Sequence, residues 1–140
     1  MAIITDTSRI SEILRTPTTV AVLGAHTNPS KAAYYVPHYL NRQGFRIYPV
    51  NPTFAGEMLF DTVVVSKLAE LKVAIDIVNV FRRSEAVPDH LDDILAMSPR
   101  PKLVWLQLGI RHDETAQALS DAGIDVIQDR CILADHQYLL

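Results

Sequence analysis

The feature that most constrains this chain is a short run with no polar alternation, Thr19–Leu23, reading TVAVL. A strand of that kind is buried on both faces, which is the signature of a parallel sheet and not of a half-solvated antiparallel one. Further strands are expected at Phe45–Val50, Asp76–Phe81, Lys102–Leu106 and Ile124–Gln128, with helical patterns between them. The alternation of strand and helix implies an α/β fold: a Rossmann-like three-layer sandwich with a five-stranded parallel sheet.

The helices are read from their apolar spacing and their ends. Ile10, Ile13 and Leu14 behind Ser8 predict a short leading helix over residues 8–15, stopped by Pro17. Val36, Tyr39 and Leu40 predict a second helix ending at Gly44, with a start near Tyr34 that puts Pro37 in its first turn. The preceding loop then spans roughly residues 24–33. Ser84 is expected to cap a helix whose buried face is Val87, Leu91, Ile94 and Leu95, and residues 113–122 form the last long helix. Residues 51–62 read as irregular, and VVVSKLAEL as a short helical segment; pairing of the second strand should end just before Pro49. LNRQGFRIYPV (40–50) and LSDAGIDVIQD (119–129) repeat one helix–glycine–strand unit.

In such sheets a ligand lies beyond the carboxyl ends of the strands, where the strand order reverses. The loops to watch are therefore 24–33, 51–54, 81–84 and 107–112. The first begins GAHTNPSK, from Gly24 to Lys31. A P-loop would need glycine, lysine and a hydroxyl residue where this chain has Pro29, Ser30 and Lys31. The dinucleotide fingerprint fails at His26 and Pro29. The acid that would meet ribose hydroxyls after the second strand is also missing, since that strand ends in Val50-Asn51-Pro52. What remains is a tight turn at Gly24, the N–H groups of a helix start, the Ser30 hydroxyl and the Lys31 charge.

Two further segments lie on the same edge. Arg82 and Arg83 follow the third strand and precede a helix start, a suitable place for phosphate because guanidinium forks match its oxygens. Gln107 and Gly109 end the fourth strand, and Gly109 lets a ligand pass close to the backbone. The five histidines include no pair at helical spacing, and Cys131 with His136 makes only two ligands, so no metal is expected. No nucleophile elbow or cysteine with a nearby base is present either. The residues describe an anion site without evident catalytic machinery.

Composition narrows the setting. The net charge is −3, with no basic stripe for nucleic acid. No apolar run approaches the length of a membrane span. One cysteine and an N-terminus unlike a signal peptide make a cytoplasmic protein the expectation.

Four blocks, VAVLGAHTNPSKAAYYVPHYLNRQGFRIYPVNP, DIVNVFRRSEAVPDHL, LVWLQLGIRHDE and AGIDVIQDRC, occur in this order. Together they resemble the small standalone CoA-binding-domain proteins of bacteria and archaea, which are similar to the CoA-binding domain of the succinyl-CoA synthetase alpha subunit. The resemblance implies that residues 1–140 form a single CoA-binding domain, with a Rossmann-like core over about 18–131. It implies that Gly24, Ala25, His26, Asn28, Ser30 and Lys31 meet the phosphates of coenzyme A or an acyl-CoA. Asn51 and Pro52 would lie against the adenosine end. Val80, Phe81, Arg82 and Arg83, with Gln107, Leu108 and Gly109, would flank the nucleotide and the pantetheine arm. The synthetases' second domain, with its phosphorylatable histidine, has no counterpart here, so ligase activity does not carry over. The leading expectation is a non-catalytic binding or sensor module for a small-molecule CoA ligand, with a protein partner or homo-oligomer left open. The alternative is an NAD(P)- or acyl-CoA-dependent enzyme on the same fold.

Overall fold

The computed structural model describes residues 2–140. Its main sheet consists of β1 (Thr19–Leu23), β2 (Arg46–Val50), β5 (Ile77–Val80), β6 (Leu103–Leu106) and β7 (Asp125–Ile127). All its pairings are parallel, in the order β2-β1-β5-β6-β7. The expected α/β Rossmann-like architecture is therefore the observed one. Along β1, Val20 and Val22 join one apolar core, and Ala21 and Leu23 join the other. The helices α1 (Thr7–Arg15), α2 (Ala32–Arg42) and α5 (Ile132–Leu139) close the first core. The helices α3 (Leu91–Leu95) and α4 (Asp113–Asp121) close the second. From β1 the chain moves outward to β2, then returns to the other side of β1 to build β5. The order therefore reverses between β1 and β5.

The repeated helix–glycine–strand unit has a physical basis. Gly44 and Gly123 both adopt positive φ, at 95° and 90°. After α2, Phe45 N–H donates to Leu40 O; after α4, Ile124 N–H donates to Leu119 O. These are Schellman caps, and each places an apolar pair, Leu40 with Phe45 and Leu119 with Ile124, in the same core.

Several local expectations change. Pairing of β2 runs through Pro49 to Val50, because Val22 and Leu23 lie opposite them. The Pro49 carbonyl faces outward and accepts the Val65 N–H, so its missing N–H falls on the sheet's outer side and costs β1 nothing. The α2 helix begins at Ala32 and carries Pro37 in its interior. The carbonyl orphaned by that proline is Ala33 O, and it accepts the His26 N–H at 3.3 Å. Asp6, not Ser8, caps α1. The segment after β5 is a 3-10 helix, Ser84–His90, leading into α3, because Pro88 interrupts a regular start.

Residues 51–62 contain a 3-10 turn, Pro52–Phe54, and the first strand of a hairpin, β3 (Met58–Leu59) with β4 (Thr62–Val63). The VVVSKLAEL segment is extended at first and becomes a single 3-10 turn at Leu68–Glu70. Both sheet edges are covered. Ile3 bridges Val126 on β7 and Val65 bridges Val50 on β2, which blunts the edges against pairing with another chain. Among the described residues no helix is long and apolar enough to cross a membrane.

A half-buried pair ties α2 to α5: the Tyr39 hydroxyl lies 2.7 Å from His136 Nδ1, with Phe45 edge-on to the same imidazole. Burial pushes the His136 pKa below its ordinary value. The neutral ring is thus the native form, so its contribution to stability is complete above the unfolded-state value of about 6.5 and is lost as pH falls below it. Melting followed by circular dichroism should show a midpoint falling from pH 7 to pH 5, with a shallower fall in His136→Gln, which keeps an acceptor and loses the titration.

Candidate functional site

The loop after β1 is held by backbone before any side chain is considered. Gly24 N–H donates to Val50 O at 2.9 Å, continuing the ladder with β2. Its φ is +92°, and a Cβ there would lie 3.0 Å from Phe81 O and 3.3 Å from Arg82 Cδ. Glycine is needed twice over: for the left-handed turn and for the close approach of the β5 end. Beyond it, Asn28 N–H donates to His26 Nδ1 at 2.9 Å, and Asn28 Oδ1 accepts from both Ser30 N–H and Ser30 Oγ. His26 also packs edge-on against Phe54, with ring centroids 4.9 Å apart. His26, Asn28 and Ser30 thus shape the loop, and the Ser30 proton is already donated within it. Ala25 is buried, and Lys31 is exposed at the N-cap of α2, where it makes no side-chain cap bond.

Asn51 locks this loop to the end of β2. Its Nδ2 donates to Ala25 O at 2.8 Å, its Oδ1 accepts the Thr53 N–H at 3.0 Å, and its own N–H donates to Val65 O. Pro52 opens the 3-10 turn that follows.

The adjacent arginines are not equivalent. Arg82 faces a cleft of about 150 Å³ lined also by Gly24, Asn51, Pro52, Lys67 and His90. Arg83 turns away, 82% exposed and 3.5 Å from Glu85. Ser84 Oγ accepts the Arg111 N–H at 2.9 Å, joining the loops after β5 and β6. Phe81 is half-buried against the first core, and Val80 is buried in the second, so its side chain cannot reach a ligand at the edge.

At the end of β6, Gln107 is a buried joint: its Oε1 accepts Asn79 Nδ2 at 3.3 Å and the Ile132 N–H at 3.4 Å. Leu108, by contrast, is 65% exposed, an apolar side chain at the carboxyl edge of the sheet. Gly109 has φ +85° with open space around it, and its N–H donates to Asp129 Oδ1.

The carboxyl edges of β1, β2 and β5 thus gather Gly24, Asn51, Pro52 and Arg82 around one cleft, flanked by the 24–31 loop. Gln107, Leu108 and Gly109 lie further along the sheet. Residue patterns did not reveal Ser66, Lys67, Leu68, His90 and Asp93, which complete the lining. The Nε2 of His90 is buried without a hydrogen-bond partner. Burial, then the positive charge of Arg82, pushes its pKa down, with Asp93 and Asp89 opposing. A neutral imidazole therefore stands in the cleft wall. Among the described residues no group of three or more His, Cys, Asp or Glu side chains could hold a metal ion.

A cleft at the strand-order reversal, lined by an arginine that makes no ion pair among the described residues, can attract an anion. The family model described as "CoA binding domain" matches residues 18–137. The chain belongs to the CoA binding domain family. It is 36% identical over 129 residues to the uncharacterized protein YneT of Bacillus subtilis (strain 168), covering 92% of this chain and 93% of that one. Among solved structures, cell-free ID.343 from Thermus thermophilus superposes with TM-score 0.92 at 48% identity, over 97% of this chain and 100% of that one. A hypothetical protein from Pyrococcus horikoshii OT3 gives TM-score 0.87 at 24% identity, over 96% and 92%, and so shares the fold. The matched region ends at residue 137, within α5.

The two glycines of the site should respond differently to substitution. Gly24→Ala adds both a positive-φ penalty and a contact with Phe81 O that backbone cannot relieve, so it should cost well over ~1 kcal/mol. Gly109→Ala meets only the first penalty. Denaturant unfolding of both variants checks the order, and equal losses would show that the approach of β5 to Gly24 carries no weight.

Proposed function

We propose that this chain binds coenzyme A or an acyl-CoA along the carboxyl edge of its sheet and acts as a binding or sensor module, not as an enzyme. The observation that carries the reading is the cleft at the β1/β5 reversal, where Arg82 and Lys67 make no ion pair among the described residues. Five other basic side chains are already matched to carboxylates: Arg9, Arg83, Lys102, Arg111 and Arg130. Free cations on a ligand edge retain their full attraction for phosphate.

In this reading the diphosphate meets the N–H groups at the start of α2 together with Lys31 and Arg82. The α2 start is available because Lys31 provides no side-chain cap. The adenosine end enters the cleft beside Asn51 and Pro52. The pantetheine arm runs toward Leu108 and Gly109, an apolar contact and an open stretch of backbone. The chemistry of the edge favours binding over turnover. His26 accepts within its own loop through Nδ1, and the sole cysteine, Cys131, sits at the N-cap of α5 with no base hydrogen-bonded to its thiol among the described residues.

A thermal-shift titration of the purified protein with CoA, acetyl-CoA, NAD⁺, NADP⁺ and ATP tests the reading. CoA species should stabilise the fold by about 2.7 kcal/mol at a hundredfold excess over the dissociation constant. Arg82→Ala should lose most of that shift, and Arg83→Ala should keep it. Stabilisation by NADP⁺ alone, or equal losses in the two arginine variants, would sink the assignment.

A further inference from the structure

We propose that Lys67 reads a phosphate on the ligand's ribose, so that the cleft selects an adenosine carrying a ribose phosphomonoester over the same nucleoside with free hydroxyls. The proposal rests on the CoA reading above and concerns one end of that ligand.

The cleft is small. Its volume of about 150 Å³ is half the ~300 Å³ at which pockets begin to enclose a whole drug-sized ligand. It therefore holds one segment of a long ligand, and its lining says which. Asn51 occupies the position at the end of β2 where a carboxylate would accept hydrogen bonds from unmodified ribose hydroxyls. Its amide is turned toward Ala25 O and Thr53 N–H and is uncharged, so it lacks the paired anionic acceptors that a carboxylate offers two ribose hydroxyls. A cation in that neighbourhood is the alternative solution, the one that accommodates a phosphorylated ribose.

Lys67 supplies that cation from a segment with no motif. Val65 N–H donates to Pro49 O and Val65 O accepts the Asn51 N–H. That parallel bridge brings Ser66 and Lys67 beside the Asn51–Pro52 turn, and Leu68 anchors the segment in the second core. Lys67 is exposed, forms no ion pair among the described residues and lines the cleft with Arg82. Two groups in the lining need an account. His90, whose Nε2 is buried without a hydrogen-bond partner, brings only an uncharged ring to the wall, with burial and Arg82 pushing its pKa down. Asp93 is the one carboxylate of the lining and opposes an anion, so it should weaken the phosphate preference without abolishing it.

Two biological ligands share this chemistry, with the phosphate on the 3′ position in CoA and on the 2′ position in NADP⁺. Titration calorimetry of CoA, dephospho-CoA, NADP⁺ and NAD⁺ against the native chain, Lys67→Met and Asp93→Asn separates the cases. The native chain should prefer CoA over dephospho-CoA by about fivefold, the upper end for one ion pair at an exposed site. Lys67→Met keeps the apolar stem and should bring the two to parity by weakening CoA, with dephospho-CoA unchanged. Asp93→Asn should widen the preference, and added salt should narrow it. Equal binding of CoA and dephospho-CoA by the native chain, or a preference that survives Lys67→Met, overturns the role of Lys67 and leaves the CoA reading standing. A preference for NADP⁺ over NAD⁺ that vanishes in Lys67→Met, without CoA binding, overturns the CoA reading and keeps the phosphate-reading cleft. Binding of none of the four overturns both.

Discussion

The strand β1 is hydrogen-bonded to a parallel neighbour on each side and covered on both faces. A slip of one residue would exchange Val20 and Val22 with Ala21 and Leu23 between two filled cores, so its register is strongly specified. Everything at the candidate site follows from where that strand stops. Gly24 continues the ladder to Val50 and comes to rest against Phe81 and Arg82, at the point where the chain's strand order reverses. The cleft exists because the loops from β1 and β2 lie to one side of that point and the loop from β5 to the other.

A second level of organisation is carried by backbone groups that regular structure leaves over. Pro37 removes one donor from α2, and the carbonyl it frees at Ala33 takes the His26 N–H. The 24–31 loop is thereby fastened to the helix that follows it. Asn51 fastens the same loop to β2, and Asn28 folds it upon itself. A loop ordered before binding loses less freedom when a ligand arrives. The polar residues of GAHTNPSK are then mostly structural, and the groups left to face an anion are backbone N–H groups and the cations Lys31 and Arg82.

The strands were legible in the sequence because each is a short apolar run bounded by turn residues, and the structure keeps all five with ends moved by a residue or so. Where reading failed, a tertiary partner had overridden local pattern. The hairpin of β3 and β4 is too short to declare itself in the sequence, and it is positioned by Val65 against β2. The α5 helix buries Asp135, which no periodicity rule would place inside; its carboxylate is held there by the Arg130 guanidinium at 2.7 and 2.8 Å. The site divides the same way. Gly24, Asn51, Pro52 and Arg82 were found from strand ends, whereas Lys67, His90 and Asp93 come from segments whose only signal is their position after folding.

By itself the sequence determined the parallel sheet, the edge on which a ligand would lie, and the resemblance that names its chemistry. The sheet and its edge depend on hydrophobic period and turn residues, which are local properties, whereas the resemblance rests on four blocks of residues in order. Only the tertiary structure decided which polar groups remain available there. Arg82 and Arg83 are identical neighbours in sequence, yet one faces the cleft and the other meets Glu85. Ser30 and Lys31 are adjacent too, yet the hydroxyl is engaged within its loop and the ammonium is exposed. The partners of Arg83 and Ser30 lie two residues away, but the cleft that Arg82 faces is assembled from segments distant along the chain, and folding alone brings those together.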